Sequence, residues 1–268
     1  MPDDLKTAEF YLEAVKRNGW LLEYVPENLK TPELCLVAVT QTGGEALENV
    51  PEELITPEFC LEAVKQTGGW ALNYIPENLK TAELYAVFYL DEVKNFGLEL
   101  EDVPEEFMTT EICLEAVRQN GRALKDVNEN LKTAELCLLA VKENGWAIQY
   151  APEHFKTVEL CLLAVRQDGL VLAYVPENLK AAELCLLAVK ENGWALQYMP
   201  ENLKTAEFCL EAVKRNGEAL KHVPENLKTV EICLEAVKRD GWALEFVPEN
   251  LKTAELCLEA VKEYGLAL

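Results

Sequence analysis

One short helical unit is repeated along the whole of this chain. Its consensus reads T-A-E-L-C-L-E-A-V-K-R-N-G-W-A-L-E-Y-V-P-E-N-L-K, and we number its positions as slots 1 to 24. A fixed period of this kind is the signature of a solenoid, in which each repeat packs against its neighbours. The sequence therefore predicts a single repeat domain over residues 1–268, with about eleven repeats. They begin at Thr7, Thr31, Thr56, Thr81, Thr109, Thr133, Thr157, Ala181, Thr205, Thr229 and Thr253.

The pattern inside the repeat predicts two helical segments. Thr at slot 1 is a good N-cap, and the apolar residues at slots 4, 5, 8 and 9 form one helical face. Gly at slot 13 is expected to end the helix as a C′ residue. Slots 14 to 19 then form a second, short helix, and Pro at slot 20 opens a further turn. Because the first helix is too short to be stable alone, stacking of the repeats must stabilise it.

The charge of the chain restricts its partners. It has 25 basic and 47 acidic residues, for a net charge of −22. Such a surface repels phosphates and attracts basic partners, so we expect no direct binding to nucleic acid. The chain starts with the acidic stretch Met1–Asp4 and has no long apolar run. We therefore expect no export signal, no membrane span and a cytoplasmic location.

Nine cysteines occupy slot 5, and they predict a buried column of small apolar side chains. No C-x-x-C pair is present to bind zinc, and thiols on neighbouring stacked helices are too far apart for a disulfide. Two repeats carry Tyr11 and Tyr85 there instead. We expect no cofactor and no metal. The cysteines are Cys35, Cys60, Cys113, Cys137, Cys161, Cys185, Cys209, Cys233 and Cys257.

Catalytic residue patterns are missing from the sequence. It contains no serine, and its two histidines, His154 and His222, occupy different slots of different repeats. Glutamate recurs at slots 3, 7, 17 and 21, as expected for a solvated face. The sequence therefore predicts a protein that is not an enzyme.

Slots 14 and 18 carry aromatic residues in five repeats and polar residues in others, such as Glu45, Arg122 and Glu218. A position that accepts both Trp and Glu is not deep core. Two interpretations stay open: an exposed face with aromatic anchors for a partner, or Trp side chains that cover the neighbouring repeat. The aromatic pairs are Trp20 with Tyr24, Trp70 with Tyr74, Trp146 with Tyr150, Trp194 with Tyr198, and Trp242 with Phe246.

Two repeats are unusually acidic. Residues 31–55 hold five acidic residues and no basic one, and residues 81–108 hold eight acidic residues and one lysine. The second repeat has 28 residues, and we expect its four extra residues to add a helical turn near residues 85–88. It is a second candidate for the partner-binding site, opposed by the interpretation that it is drift in one copy. Its clustered carboxylates are Asp91, Glu92, Glu99, Glu101, Asp102, Glu105 and Glu106.

The motif V-K-x-N-G-x-A-L-x-Y-x-P-E-x-L-K, clearest at residues 141–150 and 189–198, resembles a family of tandem helical repeats catalogued as a domain of unknown function. The repeat length is also similar to that of the leucine-rich variant repeat, which pairs an α-helix with a 3₁₀ turn. Both resemblances imply an all-α, right-handed α-solenoid, and neither implies an activity.

We therefore expect a scaffold that binds another protein with a basic surface. An alternative is an acidic inhibitor that mimics nucleic acid and occupies a basic cleft of a nucleic-acid-binding protein. The near-identity of the repeats also fits a designed consensus protein with no function.

Overall fold

A computed structural model describes residues 7–263, and in this range the chain is helical and has no strand. Each repeat contributes an α-helix of ten residues, which begins where the sequence predicts. The α-helices are α1 Ala8–Arg17, α2 Pro32–Gln41, α3 Pro57–Gln66, α4 Ala82–Asp91, α5 Thr110–Gln119, α6 Ala134–Glu143, α7 Val158–Gln167, α8 Ala182–Glu191, α9 Ala206–Arg215, α10 Val230–Arg239 and α11 Ala254–Glu263.

The threonine at slot 1 starts these helices. Its hydroxyl oxygen accepts a hydrogen bond from the backbone N–H of slot 4, as from Leu136 to Thr133 at 3.2 Å. This bond satisfies one of the free N–H groups of the first turn. Ala181 takes the place of threonine before α8, and that helix begins without a side-chain cap. The predicted N-caps are confirmed in the other repeats for which a cap is described.

Two short 3₁₀ helices follow each α-helix in the regular repeats. The first occupies slots 13 to 18 and the second occupies slots 21 to 23, just after the proline. In the repeat of α6 these are Gly145–Tyr150 and Glu153–Phe155. The described residues thus form an all-α solenoid of helix and 3₁₀ units, and the right-handed sense remains a prediction.

The first short helices are Gly19–Tyr24, Glu45–Asn49, Trp70–Asn73, Leu100–Asp102, Gly121–Asp126, Gly145–Tyr150, Gly169–Tyr174, Gly193–Tyr198, Gly217–His222 and Gly241–Phe246. The second are Glu27–Leu29, Glu52–Leu54, Glu77–Leu79, Glu105–Phe107, Glu129–Leu131, Glu153–Phe155, Glu177–Leu179, Glu201–Leu203, Glu225–Leu227 and Glu249–Leu251.

The chain divides into two compact units, Met1–Ala116 and Val117–Leu268. In the first unit, α1 to α4 pack side by side in chain order, and the first short helix of α1 packs against α2. In the second unit, α6 to α11 pack in the same way, with each first short helix against its own α-helix and the next. The prediction of one domain over the whole chain remains a prediction.

The core of each repeat comes from the α-helix and the first short helix together. In α6, Leu136, Cys137 and Val141 are fully buried, and Ile148 of the following short helix completes the cluster. The same four positions are buried in the repeats of α5, α7 and α8, and the valine at slot 9 is buried in every complete 24-residue repeat. In the first compact unit one cluster of buried residues runs from Val15 to Leu84. None of the described helices has the length and apolar character needed to cross a membrane.

The glycine at slot 13 does not act as predicted in the regular repeats. Asn or Asp at slot 12 ends the α-helix with an extended backbone, and the glycine is the first residue of the 3₁₀ helix. A Cβ atom on Gly169 would lie 2.1 Å from the carbonyl oxygen of Ala188 in the next repeat. The prediction of a helix-ending C′ residue is therefore wrong here, since close packing between repeats is what requires glycine.

The 25-residue repeats end their helices differently. Gly43 and Gly68, the extra residues, have φ of 63° and 60°, and the glycines after them are also left-handed. In these repeats glycine does terminate the helix through its left-handed backbone, as expected.

Candidate partner-binding surface

The lysine at slot 24 connects successive repeats, and the sequence analysis missed it. Its ammonium lies 2.5–2.7 Å from the glutamate at slot 21 in the eight repeats that carry it. The Nζ atom of Lys180 also donates to the carbonyl oxygen of Tyr198, at slot 18 of the next repeat, over 3.0 Å. The same bond forms from Lys30, Lys156, Lys204 and Lys228.

These lysines are buried although their glutamate partners are exposed. The side chain of Lys180 is 6% exposed and that of Glu177 is 75% exposed. A buried ammonium requires hydrogen-bond acceptors, and the slot 18 carbonyl supplies one across the repeat boundary. In these five places the contact therefore holds the end of the first short helix against the preceding repeat. The recurrence of Glu and Lys three residues apart in the sequence was the signal for it.

The residue at slot 12 holds the other end of the same short helix. The side-chain oxygen of Asn144 accepts a hydrogen bond from the backbone N–H of Trp146 at 3.0 Å. Equivalent bonds of 2.9–3.1 Å form in six further repeats. In the repeats of α7 to α10 both bonds form, and a backbone held at both ends carries the slot 14 and slot 18 side chains. We call them the aromatic surface.

The aromatic surface is exposed to different degrees along the chain. The exposed fractions are 48% for Trp20, 69% for Tyr24, 57% for Trp70, 46% for Tyr74 and 51% for Trp242. The remaining members of the predicted set are partly exposed: Trp146, Tyr150, Trp194, Tyr198 and Phe246. The prediction that these slots lie outside the deep core is confirmed.

Slot 14 contacts slot 18 of the next repeat. The rings of Trp146 and Tyr174 meet edge to face with centroids 6.0 Å apart. Trp146 Nε1 also donates to Asp168 in that repeat at 3.1 Å. Trp194 and His222 make the same contact at 5.7 Å. In these two places the tryptophan covers its neighbour and remains partly exposed, so both interpretations of the surface have a structural basis.

Charged groups take part in the same contact. Burial and the Glu45 carboxylate, which also accepts a hydrogen bond from the phenol, raise the pKa of Tyr74 above its ordinary value. The ammonium of Lys221 lies 4.0 Å from the ring centroid of Trp194, a cation–π contact. The contact between slot 14 and the next repeat therefore includes a carboxylate in one repeat, Glu45, and a cation beside an aromatic ring in another, Lys221 beside Trp194.

His222 lies in this environment, which favours the neutral form of its imidazole. Burial and then the ammonium groups of Lys221 and Lys204 lower the pKa of its imidazole. Its Nε2 atom is buried without a hydrogen-bond partner among the residues that the structure describes.

The irregular repeat 81–108 lengthens at the end of its helix. A π-helical turn, Glu92–Phe96, follows α4, and Gly97 ends it with φ of 72°. The prediction of an extra turn near residues 85–88 is wrong, because the Thr81 cap starts α4 as in other repeats and the added length falls after it.

Aromatic packing also distinguishes this repeat. Phe107 stacks on Tyr85 and Tyr89, with centroids 4.6 and 5.7 Å apart. Phe96, which the sequence analysis did not single out, is 60% exposed at the π-helical turn.

The clustered carboxylates of this repeat are divided between two settings. Asp91 and Glu92 are partly buried, and Asp91 accepts a hydrogen bond from Asn95 Nδ2 at 2.7 Å. The other five are exposed on and beside the two short helices: Glu99, Glu101, Asp102, Glu105 and Glu106.

The cysteine column is confirmed. Eight cysteines are buried, Cys257 is partly exposed, and all nine are free thiols. Burial raises the pKa of Cys161 to about 11, so its reactive thiolate is scarce at neutral pH. Between residues 7 and 263, no group of three or more His, Cys, Asp or Glu side chains could hold a metal ion.

Comparison with known proteins identifies a family for most of the chain. The family described as "Domain of unknown function (DUF4116)" matches residues 8–55, 93–132, 134–180, 183–228 and 229–268. The first match spans two repeats, so the family's unit is a pair of the repeats defined above. No curated protein and no solved structure matches the chain. Because the matches cover well over half of the sequence, the chain belongs to the DUF4116 family of tandem helical repeats.

Proposed function

We propose that the chain is a non-enzymatic scaffold that binds another protein through its aromatic surface. One observation carries this proposal: Trp194 and Trp242, whose rings are partly or largely exposed, stand on short helices whose two ends are held by hydrogen bonds. The backbone of slot 14 is held by slot 12, and that of slot 18 is held by a buried lysine.

The physical reason is that large, rigid side chains make efficient contacts. Trp and Tyr are enriched at the energetic centres of protein interfaces. A support that is already ordered loses little conformational entropy on binding. In the first compact unit, Trp20, Tyr24, Trp70 and Tyr74 are all exposed, and Asn18 holds the backbone N–H of Trp20.

The charge of the chain favours a basic partner. At −22, the chain attracts positively charged proteins and repels nucleic acids and anionic membrane surfaces. We therefore propose a protein partner with a basic surface, and neither nucleic acid nor membrane.

The test is capture of partners from cells of the native host on the immobilised chain, identified by mass spectrometry. The comparison variant carries Trp20→Ala and Trp70→Ala. A matched control carries Val158→Ala and Val230→Ala, which shorten side chains that are 47% and 45% exposed on α-helices. We expect specific proteins on the wild-type chain and the control, and their loss on the tryptophan variant. Equal retention by all three would refute the aromatic surface as the binding face.

A second candidate is the acidic inhibitor, favoured by the five carboxylates exposed between residues 99 and 106. Reversal of Glu99, Glu101 and Asp102 to lysine should then abolish partner binding. Reversal of Glu143, Glu183 and Glu191, which are exposed in regular repeats, is the charge-matched control. Binding by an inhibitor of this kind falls steeply with salt, whereas binding through aromatic anchors depends on salt weakly.

A further inference from the structure

One tryptophan of the aromatic surface already holds a cation from its own chain. The Lys221 ammonium covers the Trp194 ring at 4.0 Å, and Lys221 stands at slot 17 of the repeat that follows Trp194. One slot 14 tryptophan thus binds an ammonium group that is presented from the side of the next repeat.

The equivalent position beside Trp20 carries the opposite charge. Slot 17 of the following repeat is Glu48, which is exposed. The first short helix that holds Trp20, Gly19–Tyr24, packs against Glu45–Asn49 as Gly193–Tyr198 packs against Gly217–His222. Slot 17 of the repeat after Trp20 therefore bears a carboxylate, whereas the same slot after Trp194 bears the ammonium of Lys221, and the Trp20 ring is 48% exposed.

The surroundings of Trp20 and Glu48 reinforce this negative character. Glu45, on the same short helix as Glu48, accepts the hydrogen bond of Tyr74. No basic residue occurs between residues 31 and 55. The preceding Lys30 is 5% exposed, and its ammonium is bound by Glu27 and by the carbonyl oxygen of Asn49. The Lys30 ammonium is therefore buried with these two partners and does not supply the ring of Trp20 with a cation.

We propose that the surface formed by Trp20, Glu48, Glu45 and Tyr74 binds lysine or arginine side chains of a partner protein. This rests on the scaffold function and specifies its chemistry. The partner's cation lies over the Trp20 ring, as Lys221 lies over Trp194, and pairs with the Glu48 carboxylate. The ring and the carboxylate attract the same group, so each strengthens the selection for a basic side chain. Tyr24 and Trp70 are further exposed aromatic side chains of the same compact unit.

The site can be tested with a defined probe. The five indole N–H groups of the ¹⁵N-labelled chain are followed by NMR at low salt, and are assigned with single Trp→Phe variants. The probe is an end-capped peptide of alternating glycine and lysine, and its control is the same peptide with acetylated lysines. We expect the lysine peptide to shift the Trp20 signal, with a smaller shift at Trp194, whose ring is already covered. An equal response of Trp20 to the acetylated peptide, or none to either, would overturn the proposal.

Charge swaps separate the site from general attraction. Glu48→Lys places a cation next to Trp20 within the chain, and Glu53→Lys makes the same charge change at another exposed position of that repeat. We expect Glu48→Lys to weaken binding about tenfold beyond the effect of Glu53→Lys, which corresponds to losing one cation–π contact and one ion pair. In the reverse swap, Lys221→Glu should make Trp194 respond to the lysine peptide. Equal affinities of the Glu48 and Glu53 variants would overturn the proposal.

The failures of the two proposals are distinguishable. If the Trp20→Ala, Trp70→Ala variant loses the native partner and the Glu48→Lys variant binds it as well as the wild-type chain does, the site for basic side chains is wrong. The proposed scaffold function then remains supported. If the wild-type chain retains no protein beyond the tryptophan variant, the scaffold function itself is wrong. Circular dichroism of each variant confirms that the helices are intact.

Discussion

Replacement of Lys180 by methionine tests whether the slot 24 lysine stabilises the stack. Methionine retains an unbranched side chain of similar length and removes the ammonium. The change breaks the 3.0 Å hydrogen bond to the Tyr198 carbonyl and the 2.6 Å ion pair with Glu177. Methionine occurs at this slot elsewhere in the chain, at Met108, so the position accepts it sterically.

The magnitude follows from the burial of the two partners. A hydrogen bond from a charged donor contributes about 1.5–3 kcal/mol, and its loss leaves the Tyr198 carbonyl without this donor. The ion pair adds at most about 1 kcal/mol, because the Glu177 side chain is 75% exposed and water screens it. The apolar methionine side chain offsets part of the loss. We therefore expect Lys180→Met to lower the free energy of unfolding by about 2 kcal/mol.

The assay is urea unfolding followed by circular dichroism, together with hydrogen exchange of residues 181–204. Lys190→Met is the control, since Lys190 is exposed on α8, and it should change stability by less than about 0.5 kcal/mol. Faster exchange should be concentrated in the short helix Gly193–Tyr198, whose end the lysine holds. If Lys180→Met matches the control in both measurements, the inter-repeat hydrogen bond does not stabilise the stack.

The reciprocal change adds a lysine where the chain lacks one. Ile55 occupies slot 24 with φ of −80° and ψ of 71°, close to the −74° and 67° of Lys180, and Glu52 lies three residues before it. Ile55→Lys should therefore form the same contact and stabilise the chain by about 1 kcal/mol, the usual net value of a hydrogen bond. A loss of stability would show that burial of the ammonium costs more than its bonds return.

Three further changes test the packing and the titrating groups. Gly169→Ala should lower the free energy of unfolding by about 3 kcal/mol, because the added Cβ meets the next repeat. Gly43→Ala, with φ of 63° and open space around it, should lower it by about 1–2 kcal/mol. Thermal or urea unfolding measures both. Cys161→Ser should lower the free energy of unfolding by about 1–3 kcal/mol, because it buries a hydroxyl in apolar surroundings. Glu159→Ala does not, and should lower it by about 0.5 kcal/mol. Equal losses of stability would contradict a buried cysteine column. The Cys161 thiol should react slowly with a maleimide at pH 7 and faster as the pH approaches its pKa of about 11. Because the pKa of His222 is lower in the folded chain than in the unfolded chain, the unfolded chain binds more protons, and stability should fall as the pH drops below the ordinary histidine pKa. His222→Phe should remove that part of the pH dependence, and an unchanged pH profile would contradict it.

The sequence by itself determined the local structure of the repeat. The period, the Thr caps, the proline before the second short helix and the buried cysteine column could all be predicted, because each depends on residues within one repeat. N-capping joins slots 1 and 4, and the apolar face repeats every three or four residues along a single helix. The family membership was also visible, since the motif at slots 9 to 24 recurs along the chain.

The tertiary structure decided the features that depend on the neighbouring repeat. Gly169 is required by a carbonyl of the next repeat, and Lys180 is buried because a carbonyl there accepts its hydrogen bond. The different environments of Trp20 and Trp194 have the same origin: slot 17 of the following repeat is Glu48 in one case and Lys221 in the other. Sequence patterns report which side chains share a helix face, but the distance between atoms 18 to 28 residues apart exists only once the repeats are stacked.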